Sequence, residues 1–119
     1  MRIIYVLMVI AFVGCTSCSK TVIIGELEVM TEDLGTMTWD DAKESCAELG
    51  DGWRLPTKEE LNFLYENKDE IGGLALNYYW SSSEFDNFFA WNQDLFSGNQ
   101  SLSRNNLTYY VRAVRDLRD

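Results

Sequence analysis

The chain contains one proline, and its position limits the fold more than any other feature. Pro56 biases Leu55 toward an extended conformation, so no helix runs through Gly52-Trp53-Arg54-Leu55-Pro56. The segments on either side both read as helices, and this apolar elbow therefore separates two helices. Upstream, Thr38 is placed to accept from the amide of Asp41, and Asp40 and Asp41 put negative charge at the positive end of the helix dipole. Trp39, Ala42, Cys46 and Leu49 recur on one face; Lys43, Glu44 and Glu48 take the other, and Gly50 is the stop. Downstream, Thr57 and Glu60 form a capping box. Leu61, Leu64 and Tyr65 make the inward stripe, and Asn67 and Lys68 mark the end.

Strand signals flank this helical pair. Val22 to Met30 is β-branched and partly alternating, which predicts an opening strand, with Glu32 to Gly35 as a turn. From Gly72 onward charges thin out and aromatics cluster. Tyr78 to Ser82, Phe88 to Trp91 and Tyr109 to Arg115 read as short strands, and Asn92 to Ser101 as a hairpin or long loop. Two helices followed by several strands imply an α+β domain.

The first residues set a location. Ile3 to Val13 is uncharged but shorter than the roughly 20 residues a spanning helix needs, so it reads as a targeting segment. Phe12-Val13-Gly14-Cys15 resembles the bacterial lipobox, in which the cysteine is acylated and becomes the new N-terminus; Phe12 stands where leucine is usual. The expected organisation is a signal peptide over residues 1–14, a tether over 15–20 and one domain over 21–119. Acylation of Cys15 would attach the protein to the cell envelope, at the periplasmic face or the cell surface. The alternative is an ordinary secretory signal cleaved near Ser17.

The full chain carries 10 basic and 19 acidic residues and no histidine. Loss of Arg2 with the leader leaves nine basic residues against 19, a balance that disfavours nucleic acid and anionic lipid as partners. The three cysteines form no disulfide framework and no zinc spacing. Cys46 reads as a small buried hydrophobe, with pairing to Cys18 as the alternative.

Five pieces then occur in order: Thr38-Trp39-Asp40-Asp41-Ala42 with Cys46; Gly52-Trp53-Arg54-Leu55-Pro56-Thr57 with Glu60-Leu61; Tyr79-Trp80-Ser81-Ser82-Ser83; Ala90-Trp91 with Phe96 and Gly98; and Tyr110-Val111-Arg112-Ala113-Val114-Arg115. Together they resemble the bacterial family typified by the C-terminal domain of the Legionella collagen-like adhesin. The resemblance implies a C-type lectin-like fold, related to formylglycine-generating enzymes and to fibrobacter major paralogous domains. Two helices then flank a small antiparallel sheet, the terminal strands pair, and an irregular loop region carries ligand. The stretch from Trp80 to Arg115 is also similar to the variable regions of retroelement-diversified binding proteins.

On that resemblance the leading function is an adhesin-like binding module for a glycan or a protein. Its candidate ligand-binding residues are Glu84, Phe85, Asp86, Asn87, Asn92, Asp94, Asn99, Gln100, Ser103, Arg104 and Asn105. Rings supply contact area at low entropic cost, and amides and hydroxyls adapt their hydrogen bonds. The rival readings are that Phe88, Phe89, Trp91 and Phe96 fill the core, or that the protein is an accessory envelope lipoprotein without its own ligand. A binding module predicts an aromatic or rimmed patch within residues 83 to 105; an accessory one predicts a flat polar surface. No metal site stands out, although Glu84, Asp86 and Asp94 offer oxygen donors of the kind calcium takes. No catalytic constellation is visible. Trp53 and Arg54 read as locks on the helix junction, and Arg112 and Arg115 as framework paired with acids of the first strand or helix.

Overall fold

A computed structural model describes residues 20–117. The lipobox with Cys15, the leader and Cys18 lie outside those residues. The opening β-branched run is two strands, not one: β1 (Thr21–Ile24) and β2 (Leu27–Met30) pair antiparallel, with Ile24 opposite Leu27. Gly25, at φ 62°, supplies the left-handed residue that this two-residue reversal needs. The final strand β8 (Val114–Asp116) pairs with the other edge of β2, so the two ends of the domain meet in a three-stranded sheet.

Helix α1 (Trp39–Glu48) follows the two-residue strand β3 (Thr36–Met37). Thr38 occupies the N-cap position, but its side chain caps nothing. The amide of Trp39 is instead satisfied by the Asn105 carbonyl at 3.1 Å, which ties the helix start to a distant turn. Trp39, Ala42 and Cys46 are buried as their spacing predicts. Leu49 departs from that face and is exposed, because the helix ends at Glu48 and Leu49 is already its cap.

Across the elbow, Arg54 grips Glu60 with two hydrogen bonds of 2.7 and 3.0 Å and reaches Asp116 at 2.8 Å. Trp53 is buried under the Arg115 guanidinium, 4.6 Å from the ring centroid. Both residues therefore lock the junction between α1 and α2 (Lys58–Glu66), and the Thr57–Glu60 capping box is complete in both directions. The chain does not leave the helix at Asn67 and Lys68: one further turn, α3 (Lys68–Ile71), buries Ile71.

The remaining strands are β4 (Tyr78–Glu84), β5 (Phe89–Asp94), β6 (Gln100–Arg104) and β7 (Tyr109–Tyr110). They form a five-stranded sheet in the order β3-β7-β4-β5-β6, antiparallel except where β7 runs parallel to β4. One face carries Tyr79 and Gln93 against α2 and joins a core with Leu61, Leu64, Leu95 and Val114. The other carries Trp80 and Ala90 against α1, with Trp39, Cys46, Leu55 and Val111. Each helix thus covers one face, and β6 stands at the outer edge.

Candidate functional site

The β4–β5 hairpin ends in Phe85-Asp86-Asn87-Phe88. Asp86 shapes this tip: its Oδ1 accepts the amides of Phe88 and Phe89 at 2.8 and 2.9 Å, a side-chain turn that aspartate forms readily. The Phe85 amide closes the hairpin onto the Phe89 carbonyl at 2.9 Å. A second turn, between β6 and β7, is fastened beside it. The Asn105 backbone amide donates to the Phe88 carbonyl at 2.8 Å, and its side-chain amide donates to the Asn87 carbonyl at 2.9 Å.

On this cross-tied backbone the apolar side chains point into water. Phe85 is 61% exposed, Phe88 62% and Leu107, in the second turn, 45%. Single exposed hydrophobes are ordinary, but these three stand on two turns whose backbones are bonded to each other, which gathers apolar surface at this end. Arg104 borders it, its guanidinium 5.6 Å from the Phe89 ring centroid and with no carboxylate within salt-bridge reach among the described residues.

Of the residues expected from sequence, Glu84, Phe85, Asp86, Asn87, Arg104 and Asn105 come together at this end, with Ser103 one residue further in. The others do not. Asn92 is only 1% exposed and lies in the middle of the sheet, donating to Ser103 Oγ at 2.7 Å and accepting from Ser101 Oγ at 3.2 Å. Gln100 is held down by the Lys58 carbonyl at 2.8 Å and by Gln93 at 3.2 Å. Asp94 and Asn99 sit at the opposite end of β5, where Asp94 accepts the Phe96 amide at 2.9 Å and the Ser97 hydroxyl at 3.0 Å to shape a turn.

The same separation removes the calcium donors. Glu84 and Asp86 are at the tip and Asp94 is at the far end of a six-residue strand, roughly 17 Å away at the rise of a β-strand. Among the described residues no group of three His, Cys, Asp or Glu is placed to hold a metal ion.

Phe88 and Leu107 belong to the patch and were missed by sequence reasoning. Phe88 reads as the first residue of an apolar strand, and only its position directly after the Asp86-Asn87 turn pair hints otherwise. Phe89 and Trp91 are half-buried, with the Lys58 ammonium 3.5 Å from the Trp91 ring centroid, and Phe96 is exposed; none of the four aromatics is wholly core.

A family profile, the Lcl C-terminal domain, matches residues 15–115. The chain belongs to this family. This Lcl C-terminal domain also resembles solved structures. One is a complex of the von Willebrand factor mutant (I546V) A1 domain with botrocetin, where the match has a TM-score of 0.57 at 15% identity. A crystal structure of botrocetin matches with a TM-score of 0.61 at 16% identity. Each match covers 82% of this chain and 97% of the other. At that identity the likeness establishes the fold, which is C-type lectin-like. No curated protein matches the sequence.

Proposed function

We propose that this Lcl C-terminal domain is an envelope-anchored binding module that recognises a protein surface through the patch of Phe85, Phe88 and Leu107, bordered by Asp86, Asn87, Arg104 and Asn105. The observation that carries the reading is the exposure of both phenylalanines on a tip immobilised by Asp86 and Asn105. Phenyl rings without a polar atom suit an apolar pocket on a partner, where a central aromatic anchor contributes about 2 kcal/mol or more. The complex of botrocetin with a von Willebrand factor domain supports a protein ligand as one use of this fold. A glycan is the second reading, favoured by the amides of Asn87 and Asn105 beside the rings. An accessory lipoprotein would present a flat polar surface at this end. Acylation of Cys15 would hold the module at the membrane and leave the tip free to bind.

The test is an array of envelope proteins and glycans probed with the intact chain, in calcium and in chelator. Saturable binding that falls at least tenfold in the Phe85→Ala/Phe88→Ala variant, with no effect of chelator, supports the reading. Binding indifferent to the double variant, or none at all, overturns it.

A further inference from the structure

Among the described residues, the outer edge of β6 faces no other strand. In an antiparallel pair, residues whose amide and carbonyl point toward the neighbour alternate with residues whose groups point away. Two bonds beyond the ends of the β5–β6 ladder fix which are which. Asp94 donates to the Asn99 carbonyl at 2.9 Å at one end, and Asn105 donates to the Phe88 carbonyl at 2.8 Å at the other. Counting inward in steps of two, the register pairs Asn92 with Ser101 and Ala90 with Ser103 as the bonded pairs. The amides and carbonyls of Gln100, Leu102 and Arg104 therefore point outward. Among these groups, the Arg104 carbonyl already accepts from Leu107 at 3.1 Å.

Proteins usually blunt such an edge by keeping it short or with charged side chains, proline, a bulge or a cover. The register here is regular over all five pairs, β6 contains no proline, and its one charge, Arg104, stands at its end and leaves Gln100 to Ser103 uncharged. The charge pattern adds a second argument. In a chain of net charge −9, Arg104 is the sole charged residue between Asp94 and Arg112. Two copies repel one another least where these stretches meet.

We infer that β6 pairs antiparallel with β6 of a second copy about a twofold axis at Leu102, which joins two five-stranded sheets into one. Leu102 meets Leu102 and exchanges two backbone bonds across the axis, and Gln100 lies opposite Arg104 on both sides. Ser101 faces Ser103. No like charges are opposed, and the contact is the same patch on both chains, as a closed dimer requires. The patch at the hairpin tip shares only Arg104 with this edge, and nothing in the pairing depends on the proposed ligand.

Sedimentation equilibrium of the full chain in detergent, compared with two variants at Leu102, tests this. Leu102→Pro removes only an outward amide, so the β5 ladder keeps its bonds while the dimer loses those on its axis. Leu102→Lys sets two cations face to face. The expected result is a concentration-dependent dimer of the unaltered chain, weakened at least tenfold by both substitutions, with circular dichroism unchanged. Oxidation of a Leu102→Cys variant should also give a covalent dimer, and that of Gln100→Cys should not. If Leu102→Pro fails to fold, Leu102→Lys and the cysteine pair decide. A monomer at all concentrations, an assembly larger than a dimer, or a dimer indifferent to Leu102→Lys overturns the inference.

Discussion

Arg112 donates its Nε to Asp33 Oδ1 at 2.8 Å, and the arginine side chain is wholly buried. The rest of the guanidinium is also in use: its terminal nitrogens reach the carbonyls of Met30 at 2.9 Å and Gly73 at 2.8 Å. Asp33 in turn accepts the Tyr79 hydroxyl at 2.9 Å, and that hydroxyl accepts the Ala75 amide at 2.8 Å. The end of β2, the loop after α3, strand β4 and the segment before β8 are thus fastened to one charge pair. Burial, with the nearby Asp33 charge adding to it, pushes the Tyr79 hydroxyl well above the ordinary phenol range, so it remains a donor.

Removing Asp33 should therefore cost more than removing one of its donors. Asp33→Ala strands a buried cation and is expected to destabilise by about 3 kcal/mol or more. Tyr79→Phe forfeits one hydrogen bond to the Asp33 carboxylate but leaves the ion pair in place, and should cost about 1.5–3 kcal/mol. Urea denaturation of the two variants and their double measures both losses and the coupling between them. Equal losses from the two single substitutions would count against the buried pair as the centre of the network.

Acid should weaken the domain through two other carboxylates. Hydrogen bonds from Arg54 hold the Glu60 carboxyl below its ordinary range, and hydrogen bonds from Arg115 and then Thr21 do the same for Glu28. A carboxyl with a depressed folded value binds protons more weakly in the native state than in the unfolded chain. Its contribution is complete above the ordinary carboxylate range and is lost as the pH falls through the depressed value. Glu60→Gln should be less stable than the parent at pH 7 and lose less between about pH 5 and 2. Parallel stability curves for the two proteins over that window would refute the assignment.

Cys46 has no exposed surface, and burial pushes its thiol up to about 12. At pH 8 the thiolate is then about one part in ten thousand, and the sulfur is shielded as well. Iodoacetamide should leave Cys46 unmodified in the native protein for hours and alkylate it rapidly in urea, as peptide mass mapping would show. Modification of native Cys46 at the rate of a free thiol would contradict its burial.

How far these features could be read from sequence depended on whether their causes are local. Thr57 and Glu60 satisfy each other within one turn, so the start of α2 was legible. The elbow was legible because Pro56 acts on its own neighbour. Gly25 was not, since one glycine inside a β-branched run marks a bulge as readily as a reversal, and only the register with β2 decides. Asn92 looked like a loop amide for the same reason. Its partners Ser101 and Ser103 arrive on another strand, and their hydroxyls make its burial tolerable. The tip was half legible: the Asp86-Asn87 pair announces a turn, but the exposure of Phe88 follows from Asn105, seventeen positions further on.

The turn between β5 and β6 should tolerate no side chain at Gly98. Its φ of 87° lies in the left-handed region, where a Cβ costs about 1–2 kcal/mol. There is a steric obstacle as well: a Cβ built there would stand 2.7 Å from two ring atoms of Tyr65. Two contacts oppose the retreat of that ring. The Lys68 ammonium lies 4.5 Å from its centroid and the hydroxyl donates to the Ser97 carbonyl at 3.4 Å. Gly98→Ala is therefore expected to lose about 2–3 kcal/mol, the dihedral cost plus overpacking. The two contributions separate in a double variant. With Tyr65→Ala the steric part disappears and the dihedral part remains, so Gly98→Ala should cost about 1 kcal/mol less in that background than in the parent. If thermal or urea unfolding shows the same loss in both backgrounds, backbone conformation alone requires the glycine, and the Tyr65 ring merely rests against it.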